Sequence, residues 1–159
     1  MTQKSLSKWM KTIVILLGLC GAVIFAVAVP VAGLMVVEEN PEFSYCFVPW
    51  LIFILPMAVP CYAVLVTAWK IATSIAKDNS FTEINSKRLK NVSVLALGTS
   101  VYFFAGSTMF LLLNMSHFTV FAVSLLIVFV GVAISVASAV LSYLVGKAAD
   151  LQEQSDLTI

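Results

Sequence analysis

The chain has 159 residues, of which 61% are hydrophobic and 11% are charged. An ordinary soluble domain is about half apolar and about a quarter charged, so this composition predicts a membrane protein. The net charge of +1 lacks the basic excess that nucleic-acid binding usually needs, and we expect no direct contact with DNA or RNA. The three cysteines form no CxxC or Cys/His pattern. We therefore expect no metal site and no cofactor.

Long stretches without charge follow one another along the chain. A helix needs about 20 apolar residues to cross the hydrocarbon core of a bilayer, and four stretches reach that length. The predicted spans are about 12–37, 45–69, 92–114 and 118–146. A cytoplasmic segment, 70–91, joins the second and third spans, and a tail, 147–159, follows the fourth. The expected fold is all-α, a single membrane domain over residues 1–159 built as a four-transmembrane-helix bundle.

The distribution of charge predicts the orientation. Segments rich in lysine and arginine stay in the cytoplasm, whereas acidic residues have little influence. All nine basic residues lie before the first span, between the second and third, or after the fourth. The first loop on the other side carries Glu38, Glu39 and Glu42 instead. Both termini are therefore predicted to be cytoplasmic.

The start of the chain also has the pattern of a cleaved signal peptide. Basic residues up to Lys11 precede an apolar run that contains the small-residue sequence Ala26-Val27-Ala28. Cleavage there leaves three spans. The apolar run continues to Val37, however, a length that suits a membrane span better than a short signal sequence. We predict an uncleaved first span.

Small residues follow a helical stripe along the fourth span. Lipid is as apolar as leucine, so membrane helices associate through close packing of small residues and hydroxyls. The stripe consists of Gly131, Ser135, Ser138, Ser142 and Gly146. The third span carries a shorter stripe with Gly98, Tyr102 and Gly106. The stripes predict packing within a four-helix core, with a homo-oligomer contact as the alternative.

Prolines interrupt the first two spans. Each proline removes a backbone donor, so we predict kinks at Pro30, Pro56 and Pro60, whereas Pro49 lies where a helix is expected to begin. Broken helices line substrate paths in transporters. A small transport or channel component using the proline-broken second span is therefore an alternative function. The predicted spans contain no Asp, Glu, Lys or Arg, which argues against an ion-coupled pump.

The sequence offers no set of catalytic groups. A serine or cysteine nucleophile needs a positioned base, and the single histidine, His117, lies in the turn between the third and fourth spans, away from any second histidine. We predict that the protein is not an enzyme.

The segment between the second and third spans has the pattern of a helix start. Ser80 and Glu83 match a capping box. Apolar residues then fall on one face of the helix: Phe81, Ile84, Leu89 and Val92. This pattern predicts an amphipathic helix that lies on the lipid headgroups, with docking of a cytoplasmic protein as the alternative.

Two short motifs resemble the signatures of a known family. The sequence NSFTEIN at 79–85, followed by Arg88 and Leu89, and the ending ADLQEQSDLTI at 149–159 resemble those of a bacterial family of small four-helix membrane proteins, domain-of-unknown-function family 2975, also called YoaS-like. The resemblance covers essentially the whole chain. Ser80 stands where the family usually has proline.

The resemblance implies a location and a class of partner. It implies a multi-pass protein of the bacterial cytoplasmic (inner) membrane, in contact with the lipid bilayer. Family members are often encoded beside a small helix-turn-helix regulator, which implies a non-enzymatic regulatory protein that binds such a transcription factor. The predicted partner-binding residues are Phe81, Thr82, Glu83, Asn85, Arg88, Leu89, Leu157, Thr158 and Ile159.

Overall fold

The computed structural model describes residues 3–77 and 79–157, and most of them are helical. The helices are α1 (Gln3–Val23), α2 (Val29–Glu39), α3 (Ser44–Ile54), α4 (Ala58–Ala76), α5 (Glu83–Leu112) and α6 (Phe118–Leu157). A π-helical turn, Ile24–Ala28, joins α1 to α2. Two 3₁₀ turns, Pro41–Phe43 and Leu55–Met57, lie on either side of α3.

Within the described residues, four helical units are long and apolar enough to cross a membrane: Gln3–Glu39, Pro41–Ala76, Glu83–Leu112 and Phe118–Ser155. The prediction of an all-α membrane protein with four spans is confirmed in this respect. The fourth unit is much longer than a bilayer requires, because the 40 residues of α6 extend about 60 Å and the hydrocarbon core is about 30 Å thick. The part of α6 after Gly146 carries the charged residues and forms an extension beyond the apolar stretch.

Successive spans run antiparallel. At the start of α1, the Ser7 hydroxyl donates to the carbonyl of Ala72 on α4 at 2.6 Å. Further along, the Tyr62 hydroxyl donates to the carbonyl of Gly18 at 2.9 Å. Helix α4 packs on α5, and α5 packs on α6. Residues 3, 77, 82 and 157 therefore lie at one end of the molecule, the terminal end, and the loops around 40 and 114–117 lie at the other, the hairpin end.

The prolines that were expected to kink a span lie at or beside irregular backbone. The π-helical turn ends two residues before Pro30, and Pro56 is inside the 3₁₀ turn Leu55–Met57. Pro60 lies in the first turn of α4, where a missing backbone donor costs little. The expectation that Pro49 begins a helix is wrong, because α3 begins at Ser44 and contains Pro49 in its interior.

A hydrogen bond and a cluster of aromatic rings stabilise the irregular part of the second span. The hydroxyl of Tyr102 on α5 donates to the carbonyl of Phe53 at 3.1 Å, just ahead of the 3₁₀ turn. The Phe53 ring also packs against Phe103, with ring centroids 5.7 Å apart, and against Trp50 at the same distance. These contacts tie the irregular part of the second span to the straight helix α5.

A row of serines joins α5 to α6. The hydroxyls of Ser86 and Ser142 each donate to the other residue's carbonyl, both at 2.8 Å. The Ser135 hydroxyl donates to the carbonyl of Ser93, also at 2.8 Å. Such exchange requires the two backbones to approach closely, which small side chains permit. We call this contact the serine seam. On α5 it follows the buried or half-buried residues Ser86, Ser93, Ser100 and Ser107.

The predicted stripe of the fourth span lies in this seam. Ser135, Ser138 and Ser142 are buried. A Cβ atom on Gly131 would overlap the Ser100 hydroxyl, and one on Gly146 would lie 3.0 Å from the Ser86 hydroxyl. The stripe therefore packs on α5 of the same chain, the first of the two uses that the sequence left open.

The glycines of the shorter stripe on the third span have different surroundings. A Cβ on Gly106 would overlap the ring of Phe53, whereas a Cβ on Gly98 would meet nothing within 4 Å. Gly106 is therefore required for the contact with the second span. Gly98, although it belongs to the same predicted stripe, faces open space.

We predict that Gly106→Ala destabilises the protein and that the matched variant Gly98→Ala does not. The Phe53 ring is enclosed by other rings and cannot move without disturbing them, so overpacking should lower the free energy of unfolding by about 1–3 kcal/mol. Gly98→Ala should be neutral or stabilise by up to about 1 kcal/mol, because alanine favours helix. Unfolding of both variants in mixed micelles measures the difference. Equal stability of the two variants would contradict this packing.

Candidate functional site

A groove lies at the terminal end, between the start of α5 and the extension of α6. Its volume is 430 Å³. Its lining residues are Phe81, Thr82, Glu83, Ala149, Asp150, Gln152 and Glu153. The two motifs that are far apart in the sequence thus meet in one surface, which we call the terminal groove.

Thr82 sets the point at which α5 begins. Its backbone is extended, with φ −131° and ψ 150°, and its side chain accepts a hydrogen bond from the backbone N–H of Asn85 at 3.3 Å. This is a conventional N-cap. The capping box expected at Ser80 and Glu83 is therefore wrong, because the helix begins after Thr82. Glu83 instead pairs with Lys87 one turn later, at 2.8 Å.

Asn85 stabilises the loop that precedes the helix. It is only 1% exposed, and its amide group donates to the carbonyls of Asn79 and Ser80 at 3.0 and 3.1 Å. Its side-chain oxygen accepts from Arg88 at 2.9 Å. The expectation that Asn85 contacts a partner is not met by its position, because a buried amide with internal hydrogen bonds presents no surface.

Arg88 links this loop to the second span. The same guanidinium nitrogen that reaches Asn85 also donates to the hydroxyl of Ser74 on α4 at 2.9 Å. One side of the terminal groove is thereby held to α4 through Arg88 and to α6 through Ser86. Of the predicted partner-binding residues, Arg88 therefore serves mainly to position the start of α5.

The other predicted partner-binding residues differ in exposure. Phe81 is 56% exposed, and the side chain of Glu83 is 74% exposed. Leu89 is half-buried and lies outside the groove lining. Leu157 ends α6, but its side chain, like the whole of Thr158 and Ile159, lies outside the described residues.

The terminal groove carries negative charge. Its lining includes the carboxylates of Glu83, Asp150 and Glu153 and no lysine or arginine. Glu83 lies ahead of the apolar stretch of the third span, and the hydrogen bond and positive charge of Lys87 lower the pKa of its carboxyl group. Glu83 is therefore ionised throughout the neutral range, although Lys87 offsets part of its charge.

The row of serines on α5 was missed by the sequence interpretation. Ser86, Ser93, Ser100 and Ser107 are spaced seven residues apart, the period at which residues return to one face of packed helices. This seven-residue repeat in the sequence predicts a helix face that packs closely on a neighbour. Through Ser86 and Ser142 the seam determines how far apart the two sides of the terminal groove lie.

The described residues bring together no metal-binding cluster. Within 3–77 and 79–157, no group of three or more His, Cys, Asp or Glu side chains is placed to hold a metal ion.

Fold and charge distribution together define a multi-pass helical membrane protein with a polar groove at one end. Residues 32–159 match the family described as "Protein of unknown function (DUF2975)", and the chain belongs to this family. It is 27% identical over 153 residues to the "Uncharacterized membrane protein YoaS" of Bacillus subtilis (strain 168), an alignment that covers 95% of this chain and 96% of the relative. No solved structure matches the chain.

We predict that Asn85→Ala loosens the start of α5. The variant removes the amide that donates to the carbonyls of Asn79 and Ser80, and it removes one of the hydrogen-bond acceptors of Arg88. It should therefore lower the free energy of unfolding by about 1–3 kcal/mol. Lys90→Ala, an exposed position on the same helix, should change it by no more than about 0.5 kcal/mol. Hydrogen exchange of the 79–90 backbone amides gives a local measurement. Unchanged exchange in Asn85→Ala would contradict the positioning role.

Proposed function

We propose that the protein is a non-enzymatic membrane protein that binds a small cytoplasmic helix-turn-helix regulator in the terminal groove. The observation that carries the proposal is the meeting of an exposed aromatic side chain, Phe81, with three carboxylates in one groove. All nine lysine and arginine residues belong to the same end of the molecule. By the positive-inside rule, that end is cytoplasmic, within reach of a soluble partner.

The charge of the groove suits the surface of a DNA-binding protein. A helix-turn-helix protein presents basic side chains to the DNA phosphates. The carboxylates of Glu83, Asp150 and Glu153 can pair with the same basic side chains in place of the DNA phosphates. Complementary charge across the contact helps to select the partner, so the groove and DNA would compete for one basic surface.

Phe81 supplies an apolar contact in addition to the charged ones. Aromatic residues that become buried at the centre of an interface carry much of the binding free energy. On the opposite side of the groove, the α6 extension contributes the apolar residue Ala149 beside Asp150. A partner seated between the two helix ends would cover Phe81 while its basic side chains meet the carboxylates.

The groove is already shaped before a partner arrives. Its α5 side is held by the hydrogen bonds of Asn85, Arg88 and Ser86, and its α6 side is part of a continuous helix. A preformed site avoids much of the ordering cost of binding. The class of partner itself comes from the family resemblance, in which such regulators are often encoded beside the membrane protein.

The proposal is tested with the protein in lipid nanodiscs and a purified helix-turn-helix regulator encoded beside a gene of this family. Neutralising the groove with Glu83→Gln, Asp150→Asn and Glu153→Gln should weaken binding about threefold or more, since each exposed charge contributes modestly. Phe81→Ala should weaken it about tenfold. The matched control is Glu38→Gln, Glu39→Gln and Glu42→Gln, which removes the same charge at the hairpin end and should leave the affinity unchanged.

Competition with DNA gives a second measurement. Operator DNA should displace the regulator from the nanodiscs, and added salt should weaken the complex. An affinity that falls equally in the groove variant and in the hairpin-end control would place binding elsewhere. A ternary complex of nanodisc, regulator and DNA would exclude competition for one surface, and failure of the wild-type chain to bind would overturn the proposal.

A further inference from the structure

The hairpin end contains a partly open cavity that the terminal groove does not involve. It has a volume of 380 Å³ and lies between α2, α3 and the turn that joins α5 to α6. Its walls are formed mainly by aliphatic and aromatic side chains, among them Ala32, Val36 and Trp50. Asn40, Ser116 and His117 add polar side chains where the cavity meets the loops. The volume lies within the range of about 300–1,000 Å³ that is usual for small-molecule sites.

Internal contacts hold the walls in place. The indole N–H of Trp50 donates to the carbonyl of Met115 at 3.0 Å, and its ring stacks on Phe110 with centroids 4.6 Å apart. Gly33 has no side chain, and a Cβ there would lie 2.7 Å from the ring of Phe47, another residue of the wall. Because the indole donor is already bonded, this wall offers apolar contact and the face of an aromatic ring.

The mouth of the cavity has free polar groups. The His117 ring packs edge-on against Phe43 at 5.2 Å between centroids, and its nitrogens have no hydrogen-bond partner in the described part of the chain. The Asn40 amide nitrogen donates to the carbonyl of Val36 at 3.4 Å, which leaves its side-chain oxygen free to accept.

Charge around the mouth has one sign. Glu38, Glu39 and Glu42 are exposed on either side of Asn40, and all nine lysine and arginine residues of the chain belong to the terminal end. The lining of the cavity includes Asn40 but none of these glutamates, so their carboxylates act from the adjoining loop, where they attract cations and disfavour anions. The aromatic rings of the cavity lining, such as Trp50, add a further preference for positive charge through cation–π contacts.

We propose that this cavity binds a cationic amphiphile, a molecule with an apolar body and an amine or quaternary ammonium head. The body fills the space between α2 and α3, against Ala32 and Trp50. The head remains at the mouth, near the three glutamates and the side-chain oxygen of Asn40. The site faces the side of the membrane opposite to the terminal groove, so this binding is independent of the proposed regulator complex.

The test compares three probes of the same chain length on the full-length protein in nanodiscs of zwitterionic lipid, with empty nanodiscs subtracted. The probes are dodecyltrimethylammonium, the net-neutral dodecyldimethylamine oxide and dodecyl sulfate. Dodecyltrimethylammonium should bind about three- to tenfold more tightly than the amine oxide, and dodecyl sulfate more weakly than both. In Glu38→Gln, Glu39→Gln, Glu42→Gln this preference should disappear while binding of the amine oxide is retained.

Filling the cavity locates the site. Ala32→Phe occupies the space and should weaken both dodecyltrimethylammonium and amine oxide binding at least about tenfold. Ala22→Phe, which adds the same ring to an exposed position of α1 outside the lining, should leave binding unchanged. The chain contains three tryptophans, so Trp9→Phe, Trp69→Phe retains Trp50 alone, and its fluorescence should shift on binding even if Ala32→Phe does not fold.

Three results would overturn the proposal. Equal affinity for dodecyltrimethylammonium and the amine oxide in the wild-type chain would indicate a site for neutral lipid chains only. No change in Trp50 fluorescence at saturating dodecyltrimethylammonium, or unaltered binding in folded Ala32→Phe, would place the probe elsewhere on the protein.

Discussion

The close approach of α5 and α6 is the contact on which the rest of the structure depends. Lipid gives membrane helices no hydrophobic reason to associate, so the pair is held by packing and by hydrogen bonds at the serine seam. Ser86 and Ser142 bond to each other's carbonyl groups, which is feasible only where neither helix carries a bulky side chain. This contact brings the start of α5 beside the extension of α6 and thereby creates the terminal groove.

The second span is attached to this pair by a different means, and the first span packs on the second. Phe53, Trp50 and Tyr102 interlock around Gly106, and Arg88 reaches from α5 to Ser74 on α4. The irregular turns beside the prolines lie in the first two spans, whereas α5 and α6 are continuous. A rigid helix pair therefore supports two interrupted spans. The hairpin-end cavity lies where the interrupted spans meet the turn of the rigid pair.

The two ends of the molecule differ in chemistry because charge is distributed unevenly along the chain. The hairpin end combines an apolar cavity with carboxylates at its mouth, and the terminal end combines a polar groove with one exposed ring. The apolar stretches between them contain no ionisable residue of the Asp, Glu, Lys or Arg types. The charged groups at either end therefore lie outside the apolar stretches.

Several features of the protein were determined by the sequence alone. Length without charge determined four helical spans, and the stripe from Gly131 to Gly146 identified a face for close packing, because lipid tolerates neither charge nor unpaired backbone. The two motifs that carry the family resemblance were also readable, and the match to the family over residues 32–159 agrees with them. These features depend on composition and local periodicity, which require no knowledge of neighbours in space.

Only the tertiary structure decided which residues of each pattern are used. Gly98 and Gly106 belong to one predicted stripe, yet only Gly106 meets a ring, because Phe53 reaches it from another span. Asn85 looked like a surface residue of a motif, but the loop before α5 folds over it and buries its amide. The hairpin-end cavity is assembled from three separate segments. Such contacts depend on which helices become neighbours, and the residue periodicity of a single span does not specify its neighbours.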